Sequence, residues 1–222
     1  MRRYKRFLAD VLLPGDDTPI CVHCPNTGAM SGCKTVESAV WLSYHDSPKR
    51  KLAWTWELVE TDAGMACIHS ARANDVVEEA LRLGYFPSLF PAGAELWREV
   101  KIAEGSRADF FIPKGQGLYV EVKSVTLYCG DSAGAFPDAV SARASKHLVE
   151  LQDAIERGHR AALVFAVLHA GITRVATAED IDPTYAAALR RAMASGLEVY
   201  TLLNDITVDG IYPVAAHKWD TL

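Results

Sequence analysis

The spacing of two carboxylates and a lysine places them on one face of a predicted β-hairpin. In a strand through residues 118–125, alternation puts Glu121 and Lys123 on the same face. A turn containing two glycines precedes this strand, and pairing Ile112 with Leu118 across it brings Asp109 directly opposite Glu121. Directly opposed residues of a ladder have Cβ atoms about 4.5–5.5 Å apart. The sequence therefore predicts that these three side chains form a compact group.

Such a group has the chemistry of a divalent-cation site. Carboxylates that face each other in a sheet repel, and a bound cation removes the repulsion. Hard oxygen ligands suit Mg²⁺ or Mn²⁺, so Asp109 and Glu121 are the candidate metal ligands. Glu99 is a weaker third candidate, because a turn at residues 104–106 would bring it level with Asp109. Lys123 would orient a water molecule or neutralise a scissile phosphate, which makes Asp109, Glu121 and Lys123 the candidate catalytic set. The alternative is a solvent-facing strand that carries these charges by chance.

A helix predicted over residues 142–157 adds further polar side chains. Arg143 and His147 share a face with Glu150, opposite the apolar stripe of the helix, and Lys146 lies beside them. This face either contacts phosphate and supports the metal site, or it is an ordinary solvated helix face.

Positive charge is bunched at two places near the start of the chain. The net charge of −5 excludes a basic coat over the whole protein, but residues 1–70 carry eight Lys and Arg against eight Asp and Glu. Seven of these cations lie in two short groups, which suits phosphate contact and equally suits two solvated loop ends. An Asn-Thr-Gly turn offers one more contact for phosphate. The predicted nucleic-acid-binding residues are Arg3, Lys5, Arg6, Asn26, Lys49, Arg50, Lys51, Arg143 and Lys146.

Three aromatic residues in the same region are candidate platforms for base stacking. They are Tyr44, Trp54 and Trp56. Because the two tryptophans alternate with Leu52 and Leu58 along one strand, burial in the core is the favoured interpretation for both.

The elements that position these residues fall into two groups. Five short strands are predicted first, at residues 6–13, 20–24, 36–43, 52–59 and 64–69, which is typical of a small barrel or sandwich. From Asn74, an expected helix N-cap, the periodicity becomes helical as far as Gly84. Further helices are predicted to begin after Ser141 and after Asp182. The remaining strands are predicted at residues 96–102, 107–112, 118–125, 161–168 and 197–203.

Seven segments spread over nearly the whole chain form a specific pattern: RYKRFLADV (3–11), HCPNTGAM (23–30), TWEL (55–58), SRADF (106–110), YVEVKSVTL (119–127), FPDAV (136–140) and KHLVEL (146–151). In these segments the chain resembles the sugar fermentation stimulation protein A (SfsA) family. The resemblance implies an α/β (α+β) fold, with a small OB-fold-like β-barrel over residues 1–70 and a PD-(D/E)xK restriction-endonuclease-like α/β domain over residues 71–222. It also implies sequence-nonspecific DNA binding and a role in regulating maltose and other sugar metabolism genes. It maps the family's proposed site onto Asp109, Glu121 and Lys123.

Two functions remain open. One is a DNA-binding regulator that keeps a nuclease fold, and the other is a Mg²⁺- or Mn²⁺-dependent nuclease that hydrolyses DNA or RNA. Both predict an affinity for nucleic acid that falls with salt. The joint presence of two carboxylates and a lysine favours the enzyme. A sugar-binding sensor is poorly supported, since no aromatic-rich sugar cleft can be inferred from the sequence.

The cysteines and the apolar runs indicate the cellular compartment. Five cysteines without a recognisable secretory signal predict reduced thiols in the cytoplasm. No apolar run approaches the roughly 20 residues of a membrane helix, so no membrane partner is expected. Cys21 and Cys24 point to opposite faces of a strand, which disfavours a zinc site.

Overall fold

The computed structural model describes residues 2–219 and arranges them in three β-sheets and three α-helices. The helices are α1 Arg72–Arg82, α2 Ala142–Glu156 and α3 Pro183–Ala194. None of them is long and apolar enough to cross a membrane. The strands are β1 Arg2–Tyr4, β2 Leu8–Val11, β3 Ile20–His23, β4 Val40–Tyr44, β5 Trp54–Thr61, β6 Gly64–Cys67, β7 Trp97–Ala103, β8 Ser106–Ile112, β9 Leu118–Val125, β10 Leu127–Tyr128, β11 Ala133–Phe136, β12 Arg160–Val167, β13 Arg174–Thr177, β14 Glu198–Ile206 and β15 Ile211–Lys218.

The first sheet contains all six strands from β1 to β6 and encloses its own small core. Its order is β1-β2-β3-β5-β4, with β6 also paired to β5. The five strands predicted here are present, and β1 is an additional one. Lys5 and Arg6 take left-handed φ angles of 48° and 62°, which turns the chain between β1 and β2. Trp56 is fully buried in this core, which confirms its predicted burial, whereas Trp54 is half-buried and packs against the core from outside.

The second large sheet has the order β15-β14-β12-β9-β8-β7 and is covered by helices on both faces. Strand β12 lies at its centre, parallel to β9 and β14. Alternate residues of β12 enter two cores, one shared with α1 and the other with α2 and α3. This explains its unbroken apolar sequence, which is the pattern of a strand buried on both faces. Ser141 and Asp182 cap α2 and α3 as predicted.

Three features of the sequence-based prediction need correction. Helix α1 begins at Arg72 with Ala71 at its N-cap, so the prediction of Asn74 as the cap is wrong. The side chain of Asn74 instead donates a hydrogen bond to Asp109 from within the helix. A three-stranded sheet of β10, β11 and β13 was not predicted. The edge strand β15 was also missed.

The two parts of the chain are joined by backbone contacts. Cys67 N–H in β6 donates to the carbonyl oxygen of Leu168, which follows β12. Gly171 lies so close to the first part that a Cβ atom there would be 2.3 Å from the carbonyl oxygen of Ala63. Only glycine allows that approach without a shift of the backbone. This packing fixes the first six strands beside the sheet that carries the candidate site.

Candidate functional site

The candidate site lies where β8 and β9 separate. Their pairing runs from Ile112–Leu118 to Phe110–Val120, which confirms the predicted register of the hairpin. Beyond this point a side chain replaces the backbone pairing of the two strands. Asp109 Oδ2 accepts a hydrogen bond from the backbone N–H of Val122 at 2.7 Å. Asp109 is thereby held in the opening between the two strands.

Asp109 is a largely buried carboxylate with a perturbed acidity. Its second oxygen, Oδ1, accepts a hydrogen bond from Asn74 Nδ2 at 2.8 Å. Burial, and next the negative charge of Glu121, raise the pKa of Asp109 to about 6. Ionisation of Asp109 therefore costs more free energy than ionisation of an exposed aspartate, and a positive charge entering the site would lower that cost.

Glu121 is the more deeply buried of the two carboxylates, with only 4% of the residue exposed. Its Oε1 atom accepts a hydrogen bond from Lys123 Nζ at 2.6 Å and a further one from His147 Nδ1. Burial alone would raise the pKa of Glu121, but the bond from His147 and the charge of Lys123 outweigh it and lower the pKa. Glu121 therefore stays ionised at neutral pH, whereas the pKa of the neighbouring Asp109 is raised.

The polar face of α2 supports this arrangement from one side. His147 and Glu150 are buried, so the alternative of a solvated helix face is wrong for both. Glu150 Oε2 accepts a hydrogen bond from Ser106 Oγ at 2.6 Å, which ties α2 to the start of β8. Arg143 Nε lies 3.4 Å from His147 Nε2, on the side of the ring away from Glu121. The helix therefore fixes the imidazole that holds Glu121.

Glu99 takes the position that the softer register argument predicted. The pairs Arg98–Phe110 and Val100–Ala108 flank it, so it is level with Asp109 on the neighbouring strand. It is exposed, and its φ of 54° is unusual for a non-glycine residue inside a strand. Backbone strain of this kind costs about 1–3 kcal/mol and often accompanies a functional site.

These residues fit a small hard cation through two carboxylates. Asp109 and Glu121 supply oxygen ligands of the kind that Mg²⁺ and Mn²⁺ prefer, and a cation would relieve the charge that raises the pKa of Asp109. Within residues 2–219, no three His, Cys, Asp or Glu side chains are close enough together to hold a metal ion. A cation bound here would therefore depend on Asp109 and Glu121, with water or a movement of Glu99 completing its ligands.

The site opens into a cleft of about 1230 Å³ that both parts of the chain line. Residues 6 and 26–28 form one wall, and the separated strands and the start of α2 form the other. Asp138 fastens the two walls, because its Oδ2 accepts a hydrogen bond from Met30 N–H at 2.8 Å. Five basic residues besides Lys123 line the cleft, namely Arg6, Lys101, Arg107, Arg143 and Lys146. These six basic residues outnumber the four carboxylates of the lining, which are Glu99, Asp109, Glu121 and Asp138.

Two of the predicted nucleic-acid-binding residues, Arg3 and Asn26, use their polar atoms in contacts within the protein, although Asn26 belongs to the cleft wall. Arg3 donates hydrogen bonds to the carbonyl oxygens of Asn26 at 2.7 Å, Gly28 at 3.0 Å and Arg6 at 3.1 Å. The buried Asn26 side chain donates to Ile68 O and accepts from Gly28 N–H, so its polar atoms are engaged within the protein. Arg3 therefore holds the cleft wall in shape.

The remaining predicted cations fall into two sets. Arg6 lies at the cleft together with Arg143 and Lys146. Lys5 is exposed in the turn between β1 and β2. The group Lys49, Arg50 and Lys51 is exposed in the loop between β4 and β5, outside the lining of the cleft among the described residues, and Arg50 donates to Thr55 Oγ1.

Two residues of the site were missed from the sequence. Asn74 was interpreted as a helix cap, although an asparagine inside a helix is itself a signal, since asparagine disfavours helix interiors. Asp138 appears in a segment that resembles the SfsA family, but its bond to Met30 joins residues 108 positions apart and leaves no local pattern.

Comparison with known proteins identifies the family of both parts of the chain. Residues 1–68 match the family model described as the SfsA N-terminal OB domain, and residues 71–210 match the sugar fermentation stimulation protein RE domain. A sugar fermentation stimulation protein homolog from Teredinibacter turnerae is 47% identical over 91% of this chain and 87% of its own. A homolog from Pseudomonas paraeruginosa is 48% identical over 95% of this chain and 91% of its own.

A solved structure shows the same fold at low sequence identity. Pyrococcus furiosus SfsA, solved in complex with Ca²⁺, superposes with a TM-score of 0.85 at 23% identity, over 97% of this chain and 92% of that one. The predicted fold class, an OB-fold-like barrel followed by a restriction-endonuclease-like α/β domain, is confirmed. This chain belongs to the sugar fermentation stimulation protein family.

Proposed function

We propose that this protein hydrolyses phosphodiester bonds of nucleic acid in the cleft between its two parts, with Mg²⁺ or Mn²⁺ as cofactor. The observation that carries the proposal is the pairing of Asp109 and Glu121 at the floor of a basic cleft, with Lys123 bonded to Glu121. Two carboxylates beside a lysine at a split between strands suit metal-assisted hydrolysis. The Ca²⁺ complex of Pyrococcus furiosus SfsA supports a divalent-cation site in this fold.

Each residue of the group has a separate task in this chemistry. Asp109 and Glu121 would hold the metal, which when bound would stabilise negative charge on the phosphate and acidify a water molecule. Lys123 Nζ, now 2.6 Å from Glu121 Oε1, is placed to hold the attacking water or a phosphate oxygen. His147 keeps the Glu121 carboxylate in one orientation.

The test is incubation of the protein with labelled single- and double-stranded DNA and RNA, in the presence of Mg²⁺, Mn²⁺ or EDTA. We expect cleavage with Mg²⁺ or Mn²⁺ and none with EDTA. A Lys123→Ala variant prepared in parallel is the control, because a contaminating nuclease would leave its activity unchanged. Metal-independent cleavage, or equal cleavage by the variant, would contradict the proposal.

A second function, DNA binding without hydrolysis, is favoured by one observation. Lys123 and His147 already compensate the charge of Glu121, and the described residues contain no group of three metal-ligating side chains. A regulator of sugar metabolism genes would act in this way, through sequence-nonspecific contacts to the DNA backbone. In the same experiment, salt-dependent DNA binding without product under any metal condition would identify it.

Reversing the charge of cleft residues is expected to weaken nucleic-acid binding, whether the protein hydrolyses the nucleic acid or only binds it. For Arg6→Glu, Arg143→Glu and Lys146→Glu combined, we expect at least a ~10-fold loss of affinity for every sequence. The slope of log affinity against log salt should flatten by about 2 to 3, since each of the three lost phosphate contacts removes roughly 0.7–0.9. Fluorescence anisotropy at several salt concentrations measures both quantities.

The loop group provides a comparison with the cleft. Lys49, Arg50 and Lys51 remain predicted phosphate contacts on the basis of their charge and exposure. Their combined reversal to Glu should reduce the affinity by a smaller factor, again without sequence preference. An unchanged affinity in a folded loop variant would contradict their assignment, while an unchanged affinity in the cleft variant would contradict the proposed path of the nucleic acid.

A further inference from the structure

We propose that Trp97, one row of the sheet away from the Asp109–Glu121 pair and just outside the lining of the cleft, is a stacking platform for an unpaired nucleobase, so that single-stranded nucleic acid is the preferred ligand. The inference rests on the proposed function and deepens it. The sequence indicated Tyr44, Trp54 and Trp56 for base stacking, but Trp56 belongs to the core of the first sheet and Trp54 packs against that core.

Three neighbouring rows of residues run across strands β7, β8 and β9, with one residue from each strand in every row. Each row contains side chains of one chemical type. The pairing of β7 with β8 and of β8 with β9, continued in register, defines these rows. Residues two apart along a strand are separated by about 7 Å, which is close to one nucleotide step of an extended strand. The aromatic row is Trp97, Phe111 and Tyr119, the acidic row is Glu99, Asp109 and Glu121, and the basic row is Lys101, Arg107 and Lys123.

Trp97 is held in place on one side and open on the other. Its ring centroid lies 5.8 Å from that of Phe111, which packs in turn at 4.6 Å on Tyr119. Its indole Nε1–H donates to Glu95 Oε2 at 3.1 Å. Even with these contacts, 49% of the residue is exposed. An aromatic ring that is fixed before binding loses little conformational entropy when a base stacks on it.

The charges around Trp97 favour a nucleotide over other occupants. The acidic and basic rows and the cleft follow on the same strands, so phosphates of a bound strand would reach Lys101 and Arg107 while a base covers the indole. A second copy of the chain is a poor occupant, because β7 is the edge of its sheet and carries exposed charges at Arg98, Glu99 and Lys101.

Stacking on Trp97 requires a base face that is free. In a duplex both faces of each base are covered by its neighbours, whereas in a single strand the bases can separate and stack on protein aromatic rings. Each such contact contributes about 1–3 kcal/mol. Trp97 therefore favours single-stranded over double-stranded nucleic acid and does not distinguish one base sequence from another.

The test measures binding in EDTA, where no metal-dependent cleavage interferes. The dissociation constants of a short single-stranded DNA and of its duplex are determined by fluorescence anisotropy for wild type, Trp97→Ala and Trp97→Phe. We expect Trp97→Ala to bind the single strand about 5- to 150-fold more weakly, with less than a twofold change for the duplex. Trp97→Phe, which keeps a ring, should lose much less.

A matched control is available at the other edge of the same sheet. Tyr212 in β15 is an aromatic residue with 50% exposure, and Tyr212→Ala should leave both dissociation constants unchanged. Thermal melting of every variant establishes that it is folded. Sedimentation of wild type and Trp97→Ala at matched concentrations reveals a dimer formed through β7, and loss of such a dimer in the variant would overturn the inference.

The remaining outcomes separate this inference from the proposed function. Unchanged single-strand binding by Trp97→Ala, or equal losses for single strand and duplex, would overturn the stacking site and leave hydrolysis unaffected. Absence of cleavage under all metal conditions, with selective loss of single-strand binding, would overturn hydrolysis and leave the stacking site supported. Failure of the wild type to bind any nucleic acid would overturn both.

Discussion

Replacing Asp109 with Asn is expected to abolish metal binding and hydrolysis while leaving the metal-free protein at least as stable as the wild type. Hydrolysis should fall by roughly 10³-fold or more, because the variant loses a charged metal ligand. Stability should not fall, since the asparagine can still accept a hydrogen bond from Val122 N–H and can donate to Asn74 once that amide is flipped. The change also removes a repulsion with Glu121.

The pH dependence of stability follows from the raised pKa of Asp109. The folded protein, with a pKa of about 6 for this group, binds the proton more tightly than the unfolded chain does. Metal-free wild type should therefore lose stability as the pH rises from about 4 to about 6, and should carry the full penalty above that range. The variant does not titrate there, so at pH 7 it should be more stable by on the order of 1–3 kcal/mol.

Glu121→Gln serves as the contrasting variant. It should also lose hydrolysis, but it leaves Lys123 and His147 without the carboxylate that both contact, so its metal-free form should be less stable than the wild type. Calorimetric titration with Mn²⁺ and thermal melts between pH 4 and 8 measure both effects. Equal Mn²⁺ affinity in wild type and Asp109→Asn, or a large loss of metal-free stability in that variant, would show that the Asp109–Glu121 pair has a structural role and does not bind the metal.

The geometry of the hairpin could be predicted because its determinants are local. Gly115 and Gly117 both take positive φ angles in the turn, and the alternation of the strands leaves one register that buries the apolar face. That register alone placed Asp109 beside Glu121. The position of Glu99 followed in the same way from the preceding turn.

The missed features depend on contacts between distant parts of the chain. Strand β11 pairs with β13 some forty positions later, and both strands have only four residues, so neither shows a periodic pattern. Arg3 and Lys49 look alike as exposed cations in sequence. Only the fold shows that the first binds backbone carbonyls and that the second lies in a loop away from the cleft.

Glu57 in β5 is another carboxylate that is expected to contribute strongly to the stability of the fold, because it connects the first sheet to α1. Its carboxylate accepts hydrogen bonds from Ser43 Oγ at 2.7 Å and Arg72 Nη2 at 3.2 Å, and it pairs with His69 Nδ1 at 2.8 Å. Burial would raise the pKa of Glu57, but these hydrogen bonds outweigh it and lower the pKa to about 2. Because Arg72 begins the helix that carries Asn74, this cluster helps to align the wall of the candidate site.

Glu57→Gln is expected to destabilise the protein by about 2–3 kcal/mol at pH 7, since the neutral amide no longer compensates the charge of Arg72. The folded-state pKa is depressed, so this stabilisation is complete above the unfolded value near 4.5 and disappears as the pH falls toward 2. Urea denaturation at pH 7 and at successively lower pH should show the two curves converging. Glu60→Gln, an exposed glutamate of the same strand, is the matched control and should change stability by less than about 0.5 kcal/mol. A difference between wild type and Glu57→Gln that stays constant down to pH 2.5 would show that the loss comes from packing and not from the charge of Glu57.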